Sequence, residues 1–258
     1  MRKVLKDLFA YREALKHFSH ANLTVRHKRT WLGYFWWLLD PLLFMGIYIL
    51  LVQVIFQRGG PDYPVFILLA LLPWRWFSST IGDAASSIVG KAGVIKEVRF
   101  PKIILPLSSV ITNCVTFCFG LIVLAAFLVI FSVPLRWTFL FFPAIILVQL
   151  AFTAGFALVV AHLNVYFRDL GNILRYLLQI WFFLSPGIYA ASLVPERFQW
   201  LYNLNPFAVL FNAYRDVMLQ GAVPGLLSLL YVLALSAILI LFGVWLINKY
   251  EGDYAKVL

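Results

Sequence analysis

Six long apolar runs, at 34–56, 64–88, 103–131, 138–162, 174–191 and 225–247, leave this chain little choice but to fold across a bilayer. A hydrocarbon core about 30 Å thick takes roughly 20 helical residues to cross, and the runs approach or exceed that length. With 63% apolar and 12% charged residues over 258 positions, the composition lies well outside that of soluble domains. The fold expected is an all-α integral membrane protein with six transmembrane helices, which puts both termini on one face.

The cations say which face. Of 21 Lys and Arg, eight precede Gly33, four more are Lys91, Lys96, Arg99 and Lys102, and Arg168, Arg175, Lys249 and Lys256 belong to the same side. The opposite face carries Arg58, Arg136, Arg197 and Arg215, which leaves Arg75 inside the second run. By the positive-inside rule both termini are cytoplasmic. The net charge of +10 is then topology plus contact with anionic membrane lipids; no nucleic acid partner is implied, because no separate basic domain exists. The first apolar run is too long for a cleaved signal peptide and lacks a small-residue cleavage site. Cys114 and Cys118, one helical turn apart in the third run, read as apolar filling.

Segments that do not span are equally informative. Residues 1–32 form a cytoplasmic amphipathic interface segment, with Val4, Leu8, Tyr11, Leu15, Phe18 and Val25 at helical spacing. It is either a surface anchor or also the frame of an entrance. The loop 90–101 sets Val94 and Ile95 against Lys96, Glu97 and Arg99, a pattern that suits docking of a soluble partner and equally a tight connector. Arg168 and Asp169 suit a helix stop at the interface.

Outside, 192–224 is too apolar for a free loop, yet its run 207–219 covers only about 20 Å as a helix. It reads as an extracellular re-entrant hairpin, with Asn205 capping a helix, Pro206 in its first turn and Phe207 following. Glu196, Arg197, Arg215 and Asp216 are expected in the wet layer. Non-helical backbone at membrane depth survives where protein buries it or water lines it, so this element reads as a plug.

Charges within the runs mark candidate pathways. Asp40 and Asp83 fall near cytoplasmic ends, where snorkelling or pairing with the basic N-terminal segment suffices. Arg75 falls close to midplane in Pro73-Trp74-Arg75-Trp76, where its fork suits phosphate oxygens and the indoles offer stacking faces for sugars. A structural partner on a neighbouring helix is the other reading. Further aromatics, Trp181, Phe182, Phe183 and Tyr189, surround the Ser185-Pro186-Gly187 break in the fifth run. No phosphate-binding GxxxxGK[ST] loop, HExxH, paired membrane carboxylates or nucleophile elbow occurs, so the chain alone is not expected to be an enzyme. Neither internal repeats nor midplane carboxylates suggest an ion-coupled transporter.

Several motifs, in order and spacing over essentially the whole chain, resemble the membrane-spanning subunits of type-2 ABC exporters, in the branch that moves wall teichoic acid, O-antigen and capsule. They are Leu32-Gly33-Tyr34-Phe35-Trp36-Trp37-Leu38-Leu39-Asp40-Pro41, Leu72-Pro73-Trp74 with Phe77-Ser78, Phe100-Pro101-Lys102-Ile103-Ile104-Leu105-Pro106, Asn164-Val165-Tyr166-Phe167-Arg168-Asp169 and Asn205-Pro206-Phe207. The resemblance implies a homodimer in the bacterial cytoplasmic membrane, two separate ABC ATPase subunits that bind ATP and Mg, and a lipid-linked polysaccharide as substrate. No cofactor or metal is implied for this chain. It makes 33–258 the six-span domain, 90–101 a coupling loop (Val94, Ile95, Lys96, Glu97, Arg99) and 192–224 an outer gate (Asn205, Pro206, Phe207, Arg215). Trp74, Arg75, Trp76, Trp181, Phe182 and Tyr189 become candidate channel residues. Arg75 departs from the pattern, in which an uncharged residue is commoner. A type-2 permease for a small molecule or lipid is the alternative; a membrane enzyme of polymer assembly would need a carboxylate or metal cluster that is not found.

Overall fold

The computed structural model describes residues 9–27, 31–98 and 100–258, apart from the side chains of Arg26, His27 and Tyr34. Arg99 of the expected coupling set, and the parts of the N-terminal segment at 1–8 and 28–30, lie outside the described residues. The described chain is helical throughout. Helix α1 (Arg12–His27) is the amphipathic segment; α2 (Trp36–Ile49) runs on through a π-helical stretch, Leu50–Ile55; α3 is Tyr63–Ser87. Short α4 (Ala92–Glu97) precedes α5 (Ile104–Ile130) and α6 (Phe142–Tyr166). Then come α7 (Leu170–Leu184), α8 (Gln199–Leu204), α9 (Pro206–Arg215), α10 (Leu226–Tyr250) and α11 (Tyr254–Val257).

Five of these helices are long and apolar enough to cross a membrane: α2, α3, α5, α6 and α10 with their flanking turns. The fifth expected span is different. Helix α7 has 15 residues, about 22 Å, and stops where Ser185 turns extended ahead of Pro186, a residue that disfavours helix in its predecessor. Among the described residues there are therefore five full-length apolar helices and a shorter sixth.

Helix α3 is the hub. Of its most apolar stretch 72% is buried, against 11% for α2, and it packs on α2, α5, α6, α7 and α9. Pro64 in its first turn suits a helix start. Pro73 lies mid-helix, and its carbonyl accepts Gln149 Nε2 from α6 at 2.8 Å. Gln149 Oε1 in turn accepts Tyr214 Oη from α9 at 2.8 Å, so one buried amide joins three helices.

Helices α6 and α10 make the closest pairing, through glycine. A methyl added at Gly155 would lie 2.9 Å from the Ile240 backbone nitrogen, and one at Gly243 would lie 2.6 Å from Leu158 Cβ. Without a hydrophobic drive between helices in lipid, such close backbone approach is what holds them together. Gly155→Val is expected to lower stability by about 1–3 kcal/mol, read as an earlier unfolding transition in detergent. Valine at the lipid-facing Leu147 should change it by less than about 0.5 kcal/mol.

Candidate functional site

The outer hairpin is built around the break in α7. Pro186 and Gly187 leave the helical ladder, and because both residues are buried their carbonyls need donors from within the protein. Arg215, at the end of α9, supplies them: Nη1 donates to Pro186 O at 2.6 Å and Nη2 to Gly187 O at 2.7 Å. Its guanidinium carbon lies 3.5 Å from the Phe66 ring centre, and Nε points to Phe66 O at 3.4 Å. The residue is 3% exposed. Arg215 was expected in the wet layer; instead it is buried, because two carbonyls freed side by side match the two parallel N–H bonds of its fork. Tyr63 Oη adds a bond to Ile188 O at 3.2 Å.

Asn205 ties the hairpin to the same break. Its Oδ1 accepts Phe207 N, the expected helix cap, and also Trp181 Nε1, each at 3.0 Å. Its Nδ2 donates to Ser185 Oγ at 2.8 Å. Pro206 opens α9, and Phe207, fully buried, meets Trp74 at 4.7 Å and Phe77 at 4.6 Å between ring centres. Trp181 closes this aromatic cluster edge-on.

The expected channel residues divide between three crevices. Trp74, Arg75 and Phe182 line one of about 630 Å³, with Phe44, Tyr48 and Gln179. Arg75 and Trp76 line another of about 300 Å³ between α2, α3 and α5, with Asp40, Asn113 and Thr116. Trp181, Tyr189, Asn205 and Pro206 line an outer pocket of about 700 Å³ with Phe198 and Tyr202. The rings of Trp74, Trp76 and Phe182 are themselves buried, and Trp76 stacks on Phe117 at 4.4 Å. Arg75 forms an ion pair with Asp40 and packs on the Phe44 ring at 4.5 Å. Asp40 thus has a partner on the next helix, whereas Asp83 accepts Asn113 Nδ2 at 2.6 Å. Gln149, Tyr214 and Tyr63 escaped notice in the sequence; an amide in an apolar helix was the one available signal.

Away from the hairpin, the loop at 90–101 is helical at α4. Ile95 is buried with Ile88, Ile103, Val165, Ile247 and Tyr254, while Val94, Lys96, Glu97 and Val98 face outward. The chain's C-terminal stretch supports this base: Tyr254 Oη and His162 Nδ1 share a hydrogen bond of 2.7 Å, and Glu251 accepts the Lys102 backbone N–H at 3.2 Å. Burial lowers the affinity of the Lys91 and Lys102 amines for a proton, in Lys102 against the opposing pull of Glu251. Lys91 rests over the Phe18 ring at 4.8 Å, so α1 and the loop meet here. Helix α1 is further fixed to α5 by Asn22 Nδ2 donating to Ser108 Oγ at 3.3 Å. Among the described residues no three His, Cys, Asp or Glu side chains gather as metal ligands.

The family model for ABC-2 type transporters matches residues 20–219, which run from within α1 through α9. The chain belongs to the ABC-2 type transporter family. It is 32% identical over 258 residues to an O-antigen export system permease protein of Myxococcus xanthus, with 99% of both chains covered. A second O-antigen export system permease, from Klebsiella pneumoniae, is 31% identical with 93% of each covered. The polysialic acid transport protein KpsM of Escherichia coli is 22% identical over 85% of this chain and 86% of its own. As an ABC-2 type chain with five full-length apolar helices, this is a multi-pass membrane protein.

Replacing Arg215 with Met leaves two carbonyls unpaired, and stability should fall by about 3 kcal/mol, measured by thermal unfolding in detergent. Asn205→Ala should cost about 1 kcal/mol. A loss below about 0.5 kcal/mol for Arg215→Met would mean the clamp is not made.

Proposed function

We propose that this chain is the membrane-spanning subunit of an exporter that carries a polyprenyl-diphosphate-linked cell-surface polysaccharide out of the cytoplasm. The observation that carries this reading is similarity to O-antigen export permeases over 93–99% of the chain. The subunit works as a homodimer in the bacterial cytoplasmic membrane, with both termini inside. Two ABC ATPase subunits, which bind ATP and Mg, supply the energy. The exposed face of α4, with Val94, Lys96 and Glu97, together with Arg99, docks on the ATPase, and buried Ile95 passes the movement into the membrane domain.

Crevices beside Trp74, Arg75, Trp76 and Phe182 contribute to the polymer's path. Aromatic walls offer stacking faces to sugars without fixing one sequence of monomers. The outer pocket at Trp181 and Tyr189, backed by Asn205, Pro206, Phe207 and the Arg215 clamp, is the gate. Its closed state depends on the bonds at the α7 break, which a transported chain would have to part or bypass.

Depleting the protein conditionally should cause a lipid-linked glycan to accumulate on the cytoplasmic side, detected by composition and phosphate content. Absence of any accumulated polymer would sink this reading and leave a permease for small molecules. Charge reversal at Lys96 and Arg99 together should cut co-purification of the ATPase about tenfold, given about 1 kcal/mol at most from each surface ion pair. Unchanged assembly and export would overturn the docking assignment.

A further inference from the structure

Two arginines lie among the packed helices, and they are used differently. Arg215 is 3% exposed, and its fork is filled by carbonyls. Arg75 has a side chain 32% exposed, and among the described residues its one acceptor is Asp40, itself 37% exposed. A guanidinium carries five N–H donors in a fixed fork, so a single carboxylate leaves part of it unfilled. Arg75 lines both the 300 Å³ cavity and the 630 Å³ crevice.

A second observation points the same way. Trp76, 3% exposed, lines the smaller cavity, and its enclosed Nε1–H has no acceptor among the described residues. Buried donors without partners are costly and rare. A strong cation, an unused indole donor and one exchangeable carboxylate together make a place short of acceptors. A phosphoryl group, with several anionic oxygens and a match to the arginine fork, supplies them.

We propose that the cavity between α2, α3 and α5 is a phosphoryl-binding site, in which Arg75 releases Asp40 to take a phosphate oxygen of the exported substrate and Trp76 Nε1–H takes a second. For the source of that phosphate the proposal relies on the export reading. The phosphate belongs either to the diphosphate of the lipid carrier or to phosphodiesters in the polymer. Asp40 holds the cation's place while the site is empty, since an unpaired charge at this depth is expensive.

The sign of the Asp40 effect separates this site from a structural ion pair. The permease–ATPase complex in phosphatidylcholine nanodiscs is titrated with geranylgeranyl diphosphate, with geranylgeraniol as the uncharged control. Wild type should bind the diphosphate and not the alcohol. Arg75→Gln should weaken binding about tenfold or more, and Trp76→Phe, which keeps the stacked ring, about threefold. Asp40→Asn removes the competitor and should tighten binding about threefold.

Should Arg75→Gln fail to assemble, the opposite signs of Trp76→Phe and Asp40→Asn still decide. Competition by a glycerol-phosphate oligomer would assign the site to polymer phosphodiesters, and its failure to compete would assign it to the carrier. The proposal is overturned if Asp40→Asn weakens binding, if Trp76→Phe and Arg75→Gln bind as wild type, or if phosphatidylglycerol competes as well as the diphosphate. A complex that shows the expected variant pattern but exports no polymer would sink the export reading alone. Export with the opposite pattern would sink this site alone.

Discussion

Backbone that leaves a helix inside a membrane must find its hydrogen bonds within the protein, and the outer half of this molecule is organised by that demand. Helix α7 ends early, and the carbonyls of Pro186 and Gly187 are closed by Arg215. From that one clamp follow the position of α9, the burial of Phe207 under Trp74, and the placing of Asn205 between Ser185 and Trp181. The hairpin and the broken helix are therefore a single unit. The break's carbonyls have their donors only with the hairpin in place.

Polar groups elsewhere in the apolar helices follow the same economy. Gln149 answers the Pro73 carbonyl and the Tyr214 hydroxyl at once, and Asp40 answers Arg75. What differs is access. The Gln149 bridge is sealed in the core, whereas the Arg75–Asp40 pair opens on two crevices. A closed polar contact holds helices in register; an open one has room to exchange partners.

Much of this was legible in the sequence because apolar length is a one-dimensional property. The long spanning runs and the amphipathic segment could be read from length and periodicity, and Asn205-Pro206 from the local chemistry of a helix start. The fate of Arg215 could not. Its surroundings, Glu196, Arg197 and Asp216, look like a wet surface, and only the fold brings it to carbonyls 28 and 29 residues away. The Asp40–Arg75 pair depends on the register of two neighbouring helices, which composition does not carry. The shortness of α7 was hidden because apolar residues continue past Pro186 even though the helix does not.

The glycine contact between α6 and α10 has a mechanical consequence. With Gly155 against Ile240 and Gly243 against Leu158, the two helices have no compliant side chains between them at these points and behave as one plank. The end of this pair next to α4 carries Val165 and Ile247, which share one apolar cluster with Tyr254 of α11 and Ile95 of α4. On the proposed reading of α4 as a docking element, a push there would meet a stiff beam rather than a soft bundle, with the sparsely packed α2 left to yield.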